Sequence, residues 1–169
     1  MKNTLNKIIK ESQLNYVNPA ITSANFPNAI KHNKILKIVP FQDYEIPEQA
    51  VVRLKKEGYA LASVLDLAAM LQDNPTEIAK WFWVLTISED SRWTDSDGGV
   101  YVPGAYVRGA SRYFRLLDFR GQLVSNVGVL VLGESSGTRT LGASDTQSLE
   151  IKDTWTLSYC PSCGHKLPN

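Results

Sequence analysis

The segment "ALASVLDLAAMLQDN", residues 60–74, contains the clearest helix in the chain, and the fold prediction starts from it. Ser63 is a favourable N-cap residue, and Asp66, three positions later, can return a hydrogen bond to the Ser63 backbone in a capping box. The apolar side chains after the cap are Leu65, Leu67, Ala68, Ala69, Met70 and Leu71. Their spacing predicts a helix with a broad apolar face that packs on a core.

The pattern changes from helical to β-like at Trp81. "WFWVLTIS", residues 81–88, is aromatic and β-branched, which predicts a buried strand. Later segments predict further strands: "SRYFRLLDF", "VGVLVLG" and "LEIKDTWTLSY". Upstream, "KILKIVPF" predicts a core strand, and "IPEQAVVRLKKEGY" predicts a helix that ends at Gly58. Because helices come first and strands follow without regular βαβ alternation, the predicted fold class is α+β.

The predicted architecture has N-terminal helices packed on a mostly antiparallel, loop-rich sheet, with a zinc-knuckle hairpin at the C-terminus. Residues 1–33 are predicted to be an N-terminal helix and linker, residues 34–157 the α+β core and residues 158–169 the knuckle-like tail. These parts are expected to form one structural unit, since 169 residues with 43% hydrophobic side chains suit one ordinary domain.

Composition also indicates where the protein works. No apolar run reaches the ~18 residues that a membrane span needs. Both cysteines lie in one CxxC, which fits a reducing compartment, so a cytoplasmic protein without membrane contact is expected.

The net charge of +1 gives no global electrostatic case for nucleic acid. Residues 1–39 carry six Lys and one Glu, and this basic arm either contacts phosphate or is a solvated helix face.

The C-terminal stretch "SYCPSCGHKLPN" resembles half of a zinc site. Cys160 and Cys163 can direct two thiolates at one ion, and Gly164 permits the tight turn between them. Structural zinc takes four ligands, so the others would be His165, His32, an acid or the cysteines of a second copy in a homodimer. The sequence predicts structural zinc, and a metal-free turn that closes the last strand is the alternative.

The stretch "GESSG", residues 133–137, fits the G-x-S-x-G pattern of a nucleophile elbow. Ser135 would be the nucleophile, and Asp145 or Asp153 followed by His165 keeps the chain order of hydrolases. The elbow must open a helix, however, and "TRTLGASDTQS" is a poor helix former. A Gly/Ser loop between strands is the preferred interpretation, with a small serine hydrolase as an alternative function.

Arginine and aromatic residues alternate in the second half of the chain. The residues proposed to bind a partner are Tyr106, Arg108, Arg112, Tyr113, Arg115 and Arg120. Such a pattern can form a surface that stacks on a ligand and binds phosphate, or it can be the solvent face of a sheet. The tryptophans at positions 81, 83 and 93 are more simply explained as core.

Residues 58–133 resemble a group of short uncharacterised bacterial proteins. The pieces that carry the resemblance are "GYALASVLDLAAML", "WVLTISEDSRW", "DSDGGVYVPGAY", "SRYFRLLDF" and "VGVLVLG". Their arrangement is similar to the core of C-type-lectin-like and formylglycine-generating-enzyme-like domains. The resemblance implies a binding scaffold with its ligand surface on the loops between the late strands, residues 106–127, and it implies no catalysis, because the catalytic cysteines of the enzyme branch have no counterpart.

The function expected from the sequence is therefore non-catalytic binding of a protein or other macromolecular partner through Arg/aromatic loops, with zinc in a structural role. A serine hydrolase and a nucleic-acid-binding accessory protein are the alternatives. Small proteins that end in a single CPxCG turn are familiar from phages and mobile elements, and this association is not evidence of the chain's origin.

Overall fold

The structure of the chain is a computed structural model that describes residues 5–133. Its helices are α1 (Leu5–Glu11), α2 (Pro47–Lys56), α3 (Val64–Asp73) and α4 (Pro75–Ile78), with a 3-10 helix at Glu89–Ser91. Its strands are β1 (Tyr16–Val17), β2 (Leu36–Pro40), β3 (Ala60–Leu61), β4 (Trp83–Leu85), β5 (Trp93–Thr94), β6 (Val100–Arg108), β7 (Ser111–Asp118) and β8 (Val127–Leu132).

The eight strands form one sheet in the order β1-β7-β6-β4-β8-β2, while β3 pairs with β8 and β5 pairs with β6. Two pairs are parallel, β1 with β7 and β4 with β8, and the others are antiparallel. The predicted class, α+β with a mostly antiparallel sheet, is confirmed for the described residues.

The apolar strand β8 forms the centre of the core. All six of its residues are buried, and it has β2 on one side and β4 and β3 on the other. A strand that is covered on both faces can be apolar without alternation, which explains the continuous run "VGVLVL".

Helices cover both faces of the sheet. On one face, α1, α3 and α4 contribute Leu5, Ile8, Val64, Leu67, Leu71 and Ile78 to a buried cluster that includes Val84, Ala105, Phe114 and Leu130 of the strands. On the other face, α2 contributes Ala50, Val51 and Leu54 to a cluster with Val39, Leu85, Val102, Val127, Val129 and Val131. Burial of these side chains is the main source of stability.

The capping box predicted for α3 is present. Ser63 Oγ accepts hydrogen bonds from the backbone N–H groups of Leu65 and Asp66, at 3.2 Å and 3.4 Å. The Asp66 carboxylate accepts the Ser63 N–H at 2.8 Å. The predicted helix before Gly58 is confirmed as well, since Gly58 takes a φ of 85° directly after α2 and ends it.

Two segments differ from prediction. Tyr16 and Val17, in the segment predicted to be a linker, form β1 and pair in parallel with β7. Of the predicted strand at residues 81–88, only Trp83–Leu85 is strand, and Phe82 is 66% exposed.

The predicted strand "LEIKDTWTLSY" and the zinc-knuckle hairpin lie outside the described residues. The helices between residues 5 and 133 are all too short or too polar to cross a membrane.

Replacing the N-cap residue by Ser63→Ala removes the acceptor for two N–H groups at the buried start of α3. The free energy of unfolding is expected to fall by about 1–2 kcal/mol, measured by chemical denaturation. Ser96→Ala is the control, because the Ser96 hydroxyl contacts only Asp97 in an exposed turn. An equal loss in both variants would contradict a capping role for Ser63.

Candidate binding surface

The β6–β7 hairpin positions most of the residues that the sequence predicts to bind a partner. Its eight residue pairs run from Arg108 and Ser111 at the turn to Tyr101 and Asp118 at the open end. The turn consists of two residues, and the first, Gly109, has a φ of 60°. Left-handed glycine in a two-residue loop matches the twist of an antiparallel pair, so the turn fixes the register of the hairpin.

Four aromatic side chains lie in one row across four neighbouring strands. Tyr16 of β1 is in register with Tyr113 of β7, and Tyr113 is in register with Tyr106 of β6. Trp83 of β4 follows, because the pairing of Val84 with Ala105 places it beside Tyr106. We call these four side chains the aromatic row: Tyr16, Tyr113, Tyr106 and Trp83.

The rings of the aromatic row pack on one another. Tyr106 and Tyr113 are stacked, with ring centroids 4.4 Å apart and an interplanar angle of 3°. Trp83 meets Tyr106 edge to face, at 4.4 Å and 67°. Cross-strand aromatic pairs stabilise a sheet, so the row has a structural effect whether or not it binds anything.

Two arginines flank the aromatic row on the same face of the sheet. Arg115 is two residues after Tyr113, and its guanidinium carbon lies 4.7 Å from the ring centroid of Tyr16. Arg108 is two residues after Tyr106, at the end of β6. Because β6 and β7 run in opposite directions, the two arginines lie on opposite sides of the row, and both are exposed.

The aromatic row lies beyond the part of this face that α2 covers. Tyr16 is 40% exposed, and the other three rings are half-buried. Among the described residues, Tyr16, Tyr106 and Tyr113 belong to neither buried cluster, and only Trp83 packs against the α2 cluster. The row with its two arginines is thus an accessible aromatic and cationic surface on a rigid sheet.

The structure does not bring all six predicted residues together. Arg112 points to the opposite face, because it is one residue from Tyr113 in a strand. Its guanidinium donates hydrogen bonds to the carbonyl groups of Leu71 and Gln72 at the end of α3, at 3.4 Å each. Arg120 is exposed in the turn after β7. Five of the six lie in β6 or β7 rather than in loops, and for Arg112, Tyr113 and Arg115 this agrees with the strand predicted at "SRYFRLLDF".

Sequence reasoning missed two members of the row. Trp83 was assigned to the core and Tyr16 to a linker, yet both are partners of the predicted tyrosines. Neither follows from local pattern, since β1 and β4 join the hairpin through contacts distant in the sequence. Counting alternate positions along β7 would have separated Arg112 from Tyr113 and Arg115.

His32, a predicted metal ligand, is held by a buried carboxylate. Its Nδ1 lies 2.6 Å from Oδ2 of Asp66, and its backbone N–H donates to Oδ1 at 2.7 Å. Asp66 is 1% exposed. The Asp66 carboxylate therefore orients the imidazole ring of His32 through its contact with Nδ1. Within residues 5–133, no group of three His, Cys, Asp or Glu side chains is placed to hold an ion.

A second exposed apolar group lies at the start of α2. Tyr44 is 74% exposed and has a φ of 63°, a left-handed conformation that is costly for tyrosine. The bridge between Glu45 and Leu123 places Tyr44 opposite Val124. Tyr44 and Val52 both line a groove beside α2. A hydrogen bond from Ser125 N–H to Asp43 also fixes this turn and lowers the pKa of the Asp43 carboxyl group.

The remaining predicted residues lie outside the described part of the chain. They are the hydrolase candidates Ser135, Asp145, Asp153 and His165 and the zinc candidates Cys160 and Cys163. The comparisons add no assignment, since no family model, no curated protein and no solved structure matches this sequence.

The contrast between Arg112 and Arg115 gives a test of the hairpin register. Arg112→Gln removes charged hydrogen bonds to α3 and is expected to lower the free energy of unfolding by about 0.5–1 kcal/mol. Arg115→Gln, on the exposed face, is expected to change it by less than about 0.5 kcal/mol. Chemical denaturation of both variants measures the difference, and the reverse order would contradict the register.

Proposed function

We propose that this chain is a non-catalytic binding protein that engages a partner protein through the aromatic row and the flanking Arg108 and Arg115. The single observation that carries the proposal is the alignment of four aromatic side chains in register across four strands, with an exposed arginine on either side. Of the six residues predicted from sequence, the proposed surface keeps Tyr106, Tyr113, Arg108 and Arg115. It adds Tyr16 and Trp83.

The composition of this surface is that of a protein-binding hot spot. Trp, Tyr and Arg are the residues that most often carry the binding energy of protein interfaces. Tyrosine offers a rigid apolar ring and a hydroxyl group at little entropic cost, which suits an accessible sheet face. The two arginines add positive charge, so the matching surface of the partner is expected to be acidic.

The packing of the rings favours a protein partner over single-stranded nucleic acid. Nucleic-acid-binding sheets stack each base on the free face of an aromatic ring. Here the facing sides of Tyr106 and Tyr113 are in contact with each other, at an interplanar angle of 3°. Trp83 also meets Tyr106 edge to face, so the aromatic row offers fewer free ring faces to bases than a nucleic-acid-binding sheet does.

Binding through the aromatic row can be tested with a photo-crosslinking residue in place of Ser111, the cross-strand partner of Arg108. The full chain, expressed in cells of its source organism, is expected to form a specific adduct with one protein. That protein, once purified, is expected to bind Arg115→Glu at least about tenfold more weakly than the wild type, a loss of ~1.4 kcal/mol.

The matched control is Arg120→Glu, which makes the same charge change at an exposed position after β7. This variant is expected to bind within about twofold of the wild type, because rim charges away from the contact contribute little. If Arg115→Glu and Arg120→Glu weaken partner binding equally, the loss is a general effect of charge and not of contact at Arg115. An adduct with nucleic acid, with affinity that falls steeply with salt, would replace the proposed partner class.

We also propose that zinc has a structural role in the C-terminal tail, with Cys160 and Cys163 as ligands. The spacing of the two cysteines and the following Gly164 support this. Protein purified without chelators is expected to contain zinc, and Cys160→Ser is expected to contain only background zinc. One zinc per chain in a monomer is expected if His165, His32 or an acid of the same chain supplies the other two ligands, and half a zinc per chain in a dimer if two tails share it. Zinc-free wild-type protein would contradict the proposal.

A further inference from the structure

We propose that a cleft beside α2 binds a small molecule through an oxyanion, a carboxylate or phosphate group, held between Arg92 and Lys55. The cleft has a volume of about 370 Å³, within the range of small-ligand pockets. One wall is the second half of α2, and the other is the segment around the 3-10 helix. The residues that line it and bear on the argument are Val51, Lys55, Leu61, Glu89 and Arg92.

Among residues 5–133, Arg92 packs on an aromatic ring and has no polar partner. Its guanidinium carbon lies 4.3 Å from the ring centroid of Phe119, which is itself 3% exposed. This distance is that of a cation–π contact, which restricts the position of the guanidinium group. The Nε of Arg92 is buried and donates no hydrogen bond, and the side chain forms no ion pair with any residue between 5 and 133. An arginine of this kind is preorganised to receive an anion.

A carboxylate is close in sequence, yet Arg92 does not pair with it. Glu89 is three residues earlier, a spacing that often permits an ion pair, and it lines the same cleft. Its side chain is exposed instead, while the Arg92 guanidinium lies over Phe119. The positive charge of Arg92 is therefore not neutralised by Glu89, the one acid among the described residues that line the cleft.

Lys55 supplies a second cation from the facing wall. It is in the last turn of α2, where a lysine often serves the free carbonyl groups of the helix end. Here the carbonyl groups of Arg53, Leu54 and Lys55 already accept backbone N–H bonds from the residues that follow α2. Lys55 has no ion pair within the described range either, so its ammonium group is available to a ligand.

The apolar part of the cleft indicates that the ligand is an organic molecule. Val51 and Leu61 line the cleft beside the two cations, and a site with an apolar wall and few convergent polar groups is typical of small-molecule pockets. The proposed ligands therefore share one feature, a carboxylate or phosphate group on a compact carbon skeleton. The cleft is separate from the aromatic row, so this inference does not depend on the proposed function.

The test is a titration of the full-length, ¹⁵N-labelled chain with inorganic phosphate and, separately, with succinate, at constant ionic strength. Two-dimensional NMR spectra report the amide signals of residues 88–92 and the Nε–H signal of Arg92. Saturable shifts are expected with at least one of the two anions at ~1–10 mM. The anion that saturates at the lower concentration gives the class of the ligand's acidic group.

The variants Arg92→Gln and Lys55→Gln are expected to weaken this binding at least about tenfold and threefold, because each removes one charged partner. Lys56→Gln, the next residue of α2, lies outside the cleft lining and is expected to bind like the wild type. Lys55→Gln is an exposed change that leaves the core intact, so it remains informative if Arg92→Gln unfolds. Shifts that never saturate with either anion, or that saturate alike in wild type and Lys55→Gln, would overturn the proposal.

Discussion

The register of the β6–β7 hairpin is the constraint on which the rest of the molecule depends. The pairing of Tyr106 with Tyr113 turns both rings away from α3, and the pairing of Ala105 with Phe114 turns those side chains toward it. A slip of one residue in either strand would move its entire set of side chains to the other face. The two-residue turn with left-handed Gly109 and the burial of Phe114 both oppose such a slip, so core packing and the aromatic row are determined together.

Local signals in the sequence were sufficient for the elements but not for their assembly. The capping box of Ser63 and Asp66 and the apolar run of β8 predicted a helix and a strand that the structure confirms. The parallel pairing of β1 with β7 could not be predicted, because a strand of two residues has no periodicity and its partner is almost a hundred positions away. The candidate surface was found only in part for the same reason, since Tyr16 joins it through this pairing and Trp83 through the pairing of β4 with β6.

The two proposed sites use the sheet in different ways. The aromatic row occupies the part of one face that α2 leaves accessible, where neighbouring strands present side chains to the proposed partner. The cleft proposed to bind an oxyanion lies between the second half of α2 and the segment around the 3-10 helix. Arg115 and Arg92 both pack on aromatic rings, at 4.7 Å and 4.3 Å, so each site has a guanidinium group in a cation–π contact.

Hydroxyl-radical footprinting of the complex with the cross-linked partner tests the central claim most directly, because it reports the accessibility of each tyrosine ring. The account predicts that partner binding protects Tyr16, Tyr106 and Tyr113 of the aromatic row. Oxidation of the exposed Tyr44, beside α2, is expected to stay unchanged. Protection of Tyr44 with unchanged oxidation of the row would contradict the account and assign the interface to the start of α2.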